Sequence, residues 1–340
     1  MEERFEQLTA FLSRTEWRDA DIEPLAGDAS RRRYFRLFDK AKDRHAIVMD
    51  APRALGEDVR PFLKVGAYLR SLGLSAPETY EADIDLGFLV IEDFGDAVFD
   101  RICASDASQE HVLYAEATDV LVHLYQSSPL PDVKPYDPQM ADLAAASVRW
   151  YVGGISDETD EALTADMSNA LESLIASFSP ARTTILRDYH AQNLVWLPKR
   201  DGIHRVGLLD YQDAMSGPAA YDLMSLVRDA RRDVSKEVRD TCIARFIERS
   251  GVDGEAFSRD CATASAQRNL RILRNFARMS LHFEKPHYVD LIPRVWDHLM
   301  EDLEHPALKD IRAIVAAVYP APTAQNLEIL KSKCGTVPTL

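Results

Sequence analysis

The local patterning of this chain changes character near residue 95, and that change limits the folds open to it. Before it, Tyr34-Phe35-Arg36-Leu37-Phe38, Ala46-Ile47-Val48-Met49 and Phe88-Leu89-Val90-Ile91 read as short strands of β-branched and aromatic residues. Two helical signals accompany them. Phe5, Leu8 and Leu12 recur at helical spacing, and Phe62, Val65, Leu69 and Leu72 share one face of a helix over 57–72 that Gly73 stops. After about residue 97 the periodicity is mostly helical, over 108–127, over 157–178 with its stripe of Leu163, Met167, Leu171, Leu174 and Phe178, and over most of 219–315. Only the short runs Thr183–Leu186, Leu194–Leu197 and Val206–Leu209 are strand-like there. This order predicts an α+β, bilobal fold: a small strand-rich N-lobe over 1–94 and a larger, mostly helical C-lobe over 95–340, joined by a hinge near Glu92–Gly95. Ligand sites favour such a junction, so a cleft enzyme is expected.

The charge balance narrows the ligand. A formal net charge of -15 and a pI of about 5.1 argue against a nucleic-acid partner, which calls for a basic surplus. They leave room for a nucleotide held by a few local groups. The opening MEERFEQLTAFL lacks a basic region followed by an apolar stretch, and no apolar run approaches the roughly 20 residues of a spanning helix. A cytoplasmic protein with no membrane contact is expected. Cys103, Cys242, Cys261 and Cys334 are too dispersed for a zinc or redox motif and read as idle thiols.

The chemistry is concentrated in Leu186-Arg187-Asp188-Tyr189-His190-Ala191-Gln192-Asn193 and the following Leu208-Leu209-Asp210-Tyr211-Gln212-Asp213. Asp188 and Asn193 have the D-x-x-x-x-N spacing of a kinase catalytic loop, and Asp210 closes a strand-like run, where such kinases keep a metal-binding Asp. Phosphoryl transfer asks the protein mainly for positioning and charge neutralisation. A carboxylate that orients the acceptor hydroxyl and takes its proton suits Asp188. Mg²⁺ prefers hard oxygen ligands and keeps several waters, so an amide oxygen and one carboxylate, Asn193 and Asp210, supply what a protein must add.

These segments, with Gly217 to Asp229 (GPAAYDLMSLVRD), resemble the aminoglycoside phosphotransferase and choline kinase superfamily, of protein-kinase-like fold. Within it the chain is most similar to the bacterial cell-wall sugar kinases that phosphorylate N-acetylmuramate and N-acetylglucosamine at the anomeric carbon. The turn Gly27-Asp28-Ala29-Ser30-Arg31-Arg32-Arg33-Tyr34, the strand ending in Met49-Asp50-Ala51-Pro52, the segment Leu89 to Gly95, Gln267-Arg268-Asn269-Leu270 and Lys285-Pro286-His287-Tyr288 extend the likeness over roughly residues 20 to 315. The resemblance implies ATP and Mg²⁺, with Asp188 as base, Asn193 and Asp210 as metal ligands and Asp222 as the brace of the catalytic loop. It puts Gly27, Asp28, Ala29, Ser30 and Arg33 at the ATP phosphates, and Glu92, Asp93 and Phe94 along the adenine through their backbone groups.

The sequence departs from the wider superfamily in two places. Leu186 stands where many members carry a loop-bracing His, and the strand that commonly carries an ATP-phosphate Lys ends in Met49. The missing lysine favours the sugar kinases over the antibiotic kinases, and leaves backbone N–H groups of the Gly27–Ser30 turn with Arg32, Arg33 or Arg36 to meet the phosphate charge. His190 and Asp213 are candidate acceptor contacts, against the plainer readings of a loop-bracing imidazole and a turn cap. Arg268, Arg271, Arg274 and Arg278 share one helical face; Arg271 and Arg274 are the candidates for an anionic acceptor, the alternative being a solvated face opposite Leu270, Leu273 and Phe276. The expected activity is an ATP-dependent small-molecule kinase acting on a sugar or amino alcohol. An aminoglycoside, choline or homoserine acceptor, or a nucleotide-binding pseudokinase, are the rival readings.

Overall fold

The computed structural model describes residues 2–25, 32–158 and 160–337. Contacts gather the chain into two compact units, one made of the residues up to Gln109 with Ala191–Ala214, the other of Glu110–His190 with Met215–Leu340.

The first unit is built on an antiparallel sheet whose order is β1 (Asp21–Pro24), β2 (Arg33–Asp39), β3 (Arg44–Asp50), β5 (Phe88–Glu92), β4 (Thr79–Asp83). Side chains alternate across a strand. Leu37, Ala46, Val48, Phe88 and Val90 therefore lie together on one face, where Leu8, Phe11 and Leu12 of α1 (Glu2–Leu12) and Trp17 cover them. Phe11 stacks on Phe88 at 5.5 Å between ring centroids. β2, β3 and β5 follow the runs legible in the sequence. β1 and β4 do not, because they are edge strands, β1 largely exposed and β4 with only polar residues on its half-buried face, and so carry no apolar alternation.

The segment Ala191–Ala214 joins this unit through backbone pairing. Its two short strands, Leu194–Trp196 and Val206–Leu208, form an antiparallel hairpin. The Leu208 N–H donates to the Ser75 carbonyl at 2.8 Å and the Trp196 N–H to the Ala97 carbonyl at 2.7 Å. After the hairpin, the buried Tyr211 ring stacks on Phe62 of α2 (Arg60–Ser71), with centroids 4.8 Å apart. Gly66, one turn along the same helix, faces the Tyr211 hydroxyl so closely that a β-carbon there would lie 2.7 Å from it.

The second unit is helical apart from Thr183–Ile185 paired with Met215–Gly217. Its central element is the helix Gly254–Leu281, capped by Asp253, whose carboxylate accepts the Ala256 N–H at 2.8 Å. Leu270, Leu273, Phe276 and Ala277 are buried on it, and so are the polar Gln267, Arg268 and Asn269. Three cysteines are buried, Cys334 is half-buried, and all four are free thiols. Among the described residues no helix is long and apolar enough to cross a membrane.

Gly66→Ala sets two effects against each other. Alanine stabilises a helix interior by roughly 0.5–1 kcal/mol over glycine. Overpacking against a stacked tyrosine ring costs about 1–3 kcal/mol. A net loss of about 1 kcal/mol is expected in urea unfolding; a stabilised variant would show that Tyr211 yields freely.

Candidate active site

The catalytic-loop sequence begins where the strand Thr183–Ile185 ends. Helix Ala220–Val227 places Asp222 beneath it, buried, and the carboxylate accepts two backbone N–H groups, from Leu186 at 2.5 Å and from Arg187 at 2.9 Å. The contact at Leu186 is therefore made by its backbone and not by its side chain. Burial pushes the Asp222 carboxyl up to about 7, the two N–H bonds and Arg268 working against the shift and the Asp188 charge adding to it.

Arg187 sits in the left-handed region at φ 72°, which costs a non-glycine residue of order 1 kcal/mol. Its guanidinium lies 5.1 Å from the Tyr136 ring centroid. Tyr189 anchors the next turn, its hydroxyl donating to the Ala117 carbonyl at 2.8 Å. His190 is buried, with Nε2 3.3 Å from Nη1 of Arg231. Burial holds its pKa below the ordinary imidazole value, Asp229 opposing and Arg231 adding to the effect. Asp188 is half-buried, and its charge is felt by Asp222, His190, Arg268 and Arg271.

In the first unit, Asn193 and Asp210 come to the same end of the hairpin. Leu194 pairs with Leu208, and the next rung is the Leu209 N–H donating to the Asn193 carbonyl at 3.0 Å, so Asp210 follows directly beyond it. Asp210 has φ 55°, and the Gln212 amide donates to its Oδ1 at 2.7 Å. Among the described residues no three His, Cys, Asp or Glu side chains form a metal cage. The pair instead offers hard oxygen donors, the chemistry Mg²⁺ takes when water and substrate phosphates complete its shell. Asp213 lies exposed in the turn that follows.

The segment Glu92–Phe94 is fixed by three contacts. Glu92 accepts from Arg200 at 2.5 Å, Asp93 accepts from Nε of Arg36 at 2.7 Å, and the Phe94 ring lies against Gly207, where a β-carbon would meet it at 2.7 Å. Gly207 is on the hairpin, so a glycine there lets Phe94 pack beside the strands that carry Asn193 and Asp210. Gly27, Asp28, Ala29 and Ser30 lie outside the described residues. Arg33 binds the buried Asp50 through Nε at 3.0 Å and Nη2 at 2.5 Å, and Arg4 binds the same carboxylate.

The arginine row on helix Gly254–Leu281 is not a solvated face. Arg268 is buried and donates to the Ser225 hydroxyl at 2.8 Å. Arg271 donates through Nη1 to both the Tyr136 and Tyr221 hydroxyls, at 2.7 and 2.6 Å. Burial disfavours its charge, yet the two phenols and Asp188 outweigh burial and raise its pKa. Arg274 donates to the Asn275 side chain at 2.8 Å, and its buried Nε meets no acceptor among the described residues. Burial, then Arg278 and Arg271, lower its pKa.

Residues 21–260 match the phosphotransferase enzyme family. A relative from Caulobacter vibrioides, an N-acetylmuramate/N-acetylglucosamine kinase, is 35% identical over 94% of this chain and 98% of its own. One of the same name from Pseudomonas aeruginosa is 28% identical over 88% and 89%. The chain belongs to the phosphotransferase enzyme family. Among solved structures, the phosphotransferase superposes on a choline/ethanolamine kinase family protein from Mesorhizobium loti with a TM-score of 0.61, at 13% identity over 97% of this chain and 99% of that one. An ADP-bound aminoglycoside phosphotransferase gives 0.58, at 11% identity over 87% and 98%. The fold is thus kinase-like, and the phosphotransferase is an ATP-dependent kinase.

Sequence reasoning missed several residues of this phosphotransferase that the fold gathers. Tyr221 directly precedes Asp222, so its neighbourhood was within reach, but Tyr136 lies 135 positions from the Arg271 it binds and carried no signal. Asp229 closes the segment that carries the family resemblance, but neither it nor Arg231 was read as a neighbour of His190. The brace itself is testable. In Asp222→Asn one of the two acceptor oxygens becomes an NH₂ facing a backbone donor, which costs about 1–3 kcal/mol of stability by unfolding. The released loop should lower kcat more than it changes KM for ATP. A variant with wild-type stability and kcat would show that Asp222 does not hold the loop.

Proposed function

We propose that this phosphotransferase moves the γ-phosphoryl group of ATP onto the anomeric hydroxyl of an N-acetylated amino sugar, N-acetylmuramate or N-acetylglucosamine. The observation that carries the acceptor is the Caulobacter relative, named for those two sugars and alike over 94% of this chain. A reaction fed by ATP places the enzyme in the cytoplasm.

Each proposed role follows from residue chemistry. The Asp188 carboxylate orients the sugar hydroxyl and accepts its proton as the oxygen attacks the γ-phosphorus. The bond from that phosphorus to the β-phosphate oxygen breaks, ADP leaves, and the proton remains on Asp188. Asn193 and Asp210 would hold Mg²⁺, which when bound neutralises charge on the phosphates. Glu92, Asp93 and Phe94 present backbone groups to the adenine. His190 packs the loop that carries Asp188, because its burial and its neutral imidazole suit bracing better than contact with the acceptor.

The same reading accounts for the arginines. An N-acetylmuramate carboxylate needs a cation, and Arg274 fits better than Arg271, which already binds two phenol oxygens. A carboxylate would also relieve the like-charge crowding that Arg278 and Arg271 impose on Arg274.

Asp188→Asn should lose about 10²–10⁴-fold in kcat with ATP affinity unchanged. With wild-type enzyme, phosphorus and proton NMR should show an acid-labile phosphate on the anomeric carbon. Phosphate on another hydroxyl, or turnover only with aminoglycosides or choline, would reject the acceptor. For Arg274→Gln, losing a charge-assisted contact worth roughly 1.5–3 kcal/mol should weaken N-acetylmuramate more than tenfold and leave neutral N-acetylglucosamine nearly unchanged. Equal losses on both sugars would remove Arg274 from acceptor recognition.

A further inference from the structure

The strand lysine that meets ATP phosphates in many related kinases is absent here, and the position is the buried Met49. Among the described residues, three nearby arginines on or beside β2 are candidates to replace it. Arg36 is held at the rim by Asp93 and Asp96, with Nε–Oδ2 and Nη1–Oδ2 distances of 2.7 and 2.9 Å. Arg33 is bound to Asp50, which also binds Arg4 of α1, so by strand alternation it lies on the face of β2 opposite to Tyr34 and to its partner Met49.

Arg32 is placed differently. Its Nε donates to Glu57 at 2.7 Å, just ahead of α2. Arg32 and Tyr34 are two positions apart in extended chain and so share a face, and Tyr34 is the cross-strand partner of Met49. Arg32, Tyr34, Glu57 and Asp210 all belong to the same compact unit. Burial works against the Arg32 charge, but the Glu57 bond and neighbouring Tyr34 outweigh it and raise its pKa. In protein kinases, a strand lysine at the phosphates is held in place by a glutamate from the helix that follows. Here the corresponding ion pair is Arg32, just ahead of β2, with Glu57, ahead of α2.

We propose that Arg32, positioned by Glu57 beside Tyr34, is the cation that binds the ATP phosphates in this chain, in place of a strand lysine. The proposal rests on the kinase reading above. An arginine suits the task because its fork can hold a carboxylate and phosphate oxygens at once.

The test compares binding of adenosine, ADP and ATP with Mg²⁺ by titration calorimetry, alongside steady-state kinetics and thermal melting. Arg32→Gln should weaken ATP about 10- to 100-fold while adenosine, which has no phosphate, keeps its wild-type affinity. Glu57→Gln should shift ATP in the same direction by a smaller factor, and Arg32→Lys should fall between wild type and Arg32→Gln. If Arg32→Gln melts early, the ratio of ATP to adenosine affinity in Arg32→Lys and Glu57→Gln carries the test. An unchanged ratio in the folded variants overturns the assignment. Wild-type enzyme that binds no ATP would instead overturn the kinase reading beneath it.

Discussion

The buried Asp222 carboxylate receives the N–H groups of Leu186 and Arg187, and the loop from Leu186 to His190 takes its shape from that contact. A strand has just ended there, so those two N–H groups have lost their ladder partners and need an acceptor inside the protein. Supplying it from the first turn of a helix ties the loop to a rigid element. The same contact supports Arg187 in a left-handed conformation that an arginine does not adopt without support. Asp188 therefore projects from a backbone over-determined on both sides, with Tyr189 anchored in the helical core behind it.

Charge is distributed unevenly in a chain whose net charge is -15. Most of its surface arginines meet carboxylates: Arg245 and Arg249 share Asp119, Arg294 binds Asp233, and Arg228 and Arg239 share Glu301. The acidic run Glu301–Glu304 also reaches inward, since Asp302 is buried and accepts from the Asn269 amide. Arg271 and Arg274 differ from this pattern in having phenol and amide partners instead of carboxylates. Guanidiniums whose hydrogen-bond partners are neutral retain local positive potential for an anionic ligand.

Close backbone approach has a similar role in the first unit. Gly207 admits the Phe94 ring and Gly66 admits the Tyr211 hydroxyl. Both rings flank the hairpin from which Asn193 and Asp210 project, so the absence of two β-carbons sets how tightly that hairpin is seated.

The sequence alone determined the motif and the division of secondary structure. Asp188, Asn193, Asp210 and Asp222 stand at fixed spacings along short stretches, and β2, β3, β5 and the long helices have apolar periodicities strong enough to read directly. The edge strands β1 and β4 were not legible, because neither buries a face deeply enough to need an apolar pattern. Tertiary structure alone decided which cation sits where. A run such as Arg31-Arg32-Arg33 looks uniform in sequence, yet Arg33 turns to Asp50 and Arg32 to Glu57. It also decided that Ala191–Ala214 packs with the strand-rich residues, through hydrogen bonds to Ser75 and Ala97 made by backbone atoms. Those atoms are the same in every residue type, and for that reason the pairing leaves no trace in the sequence.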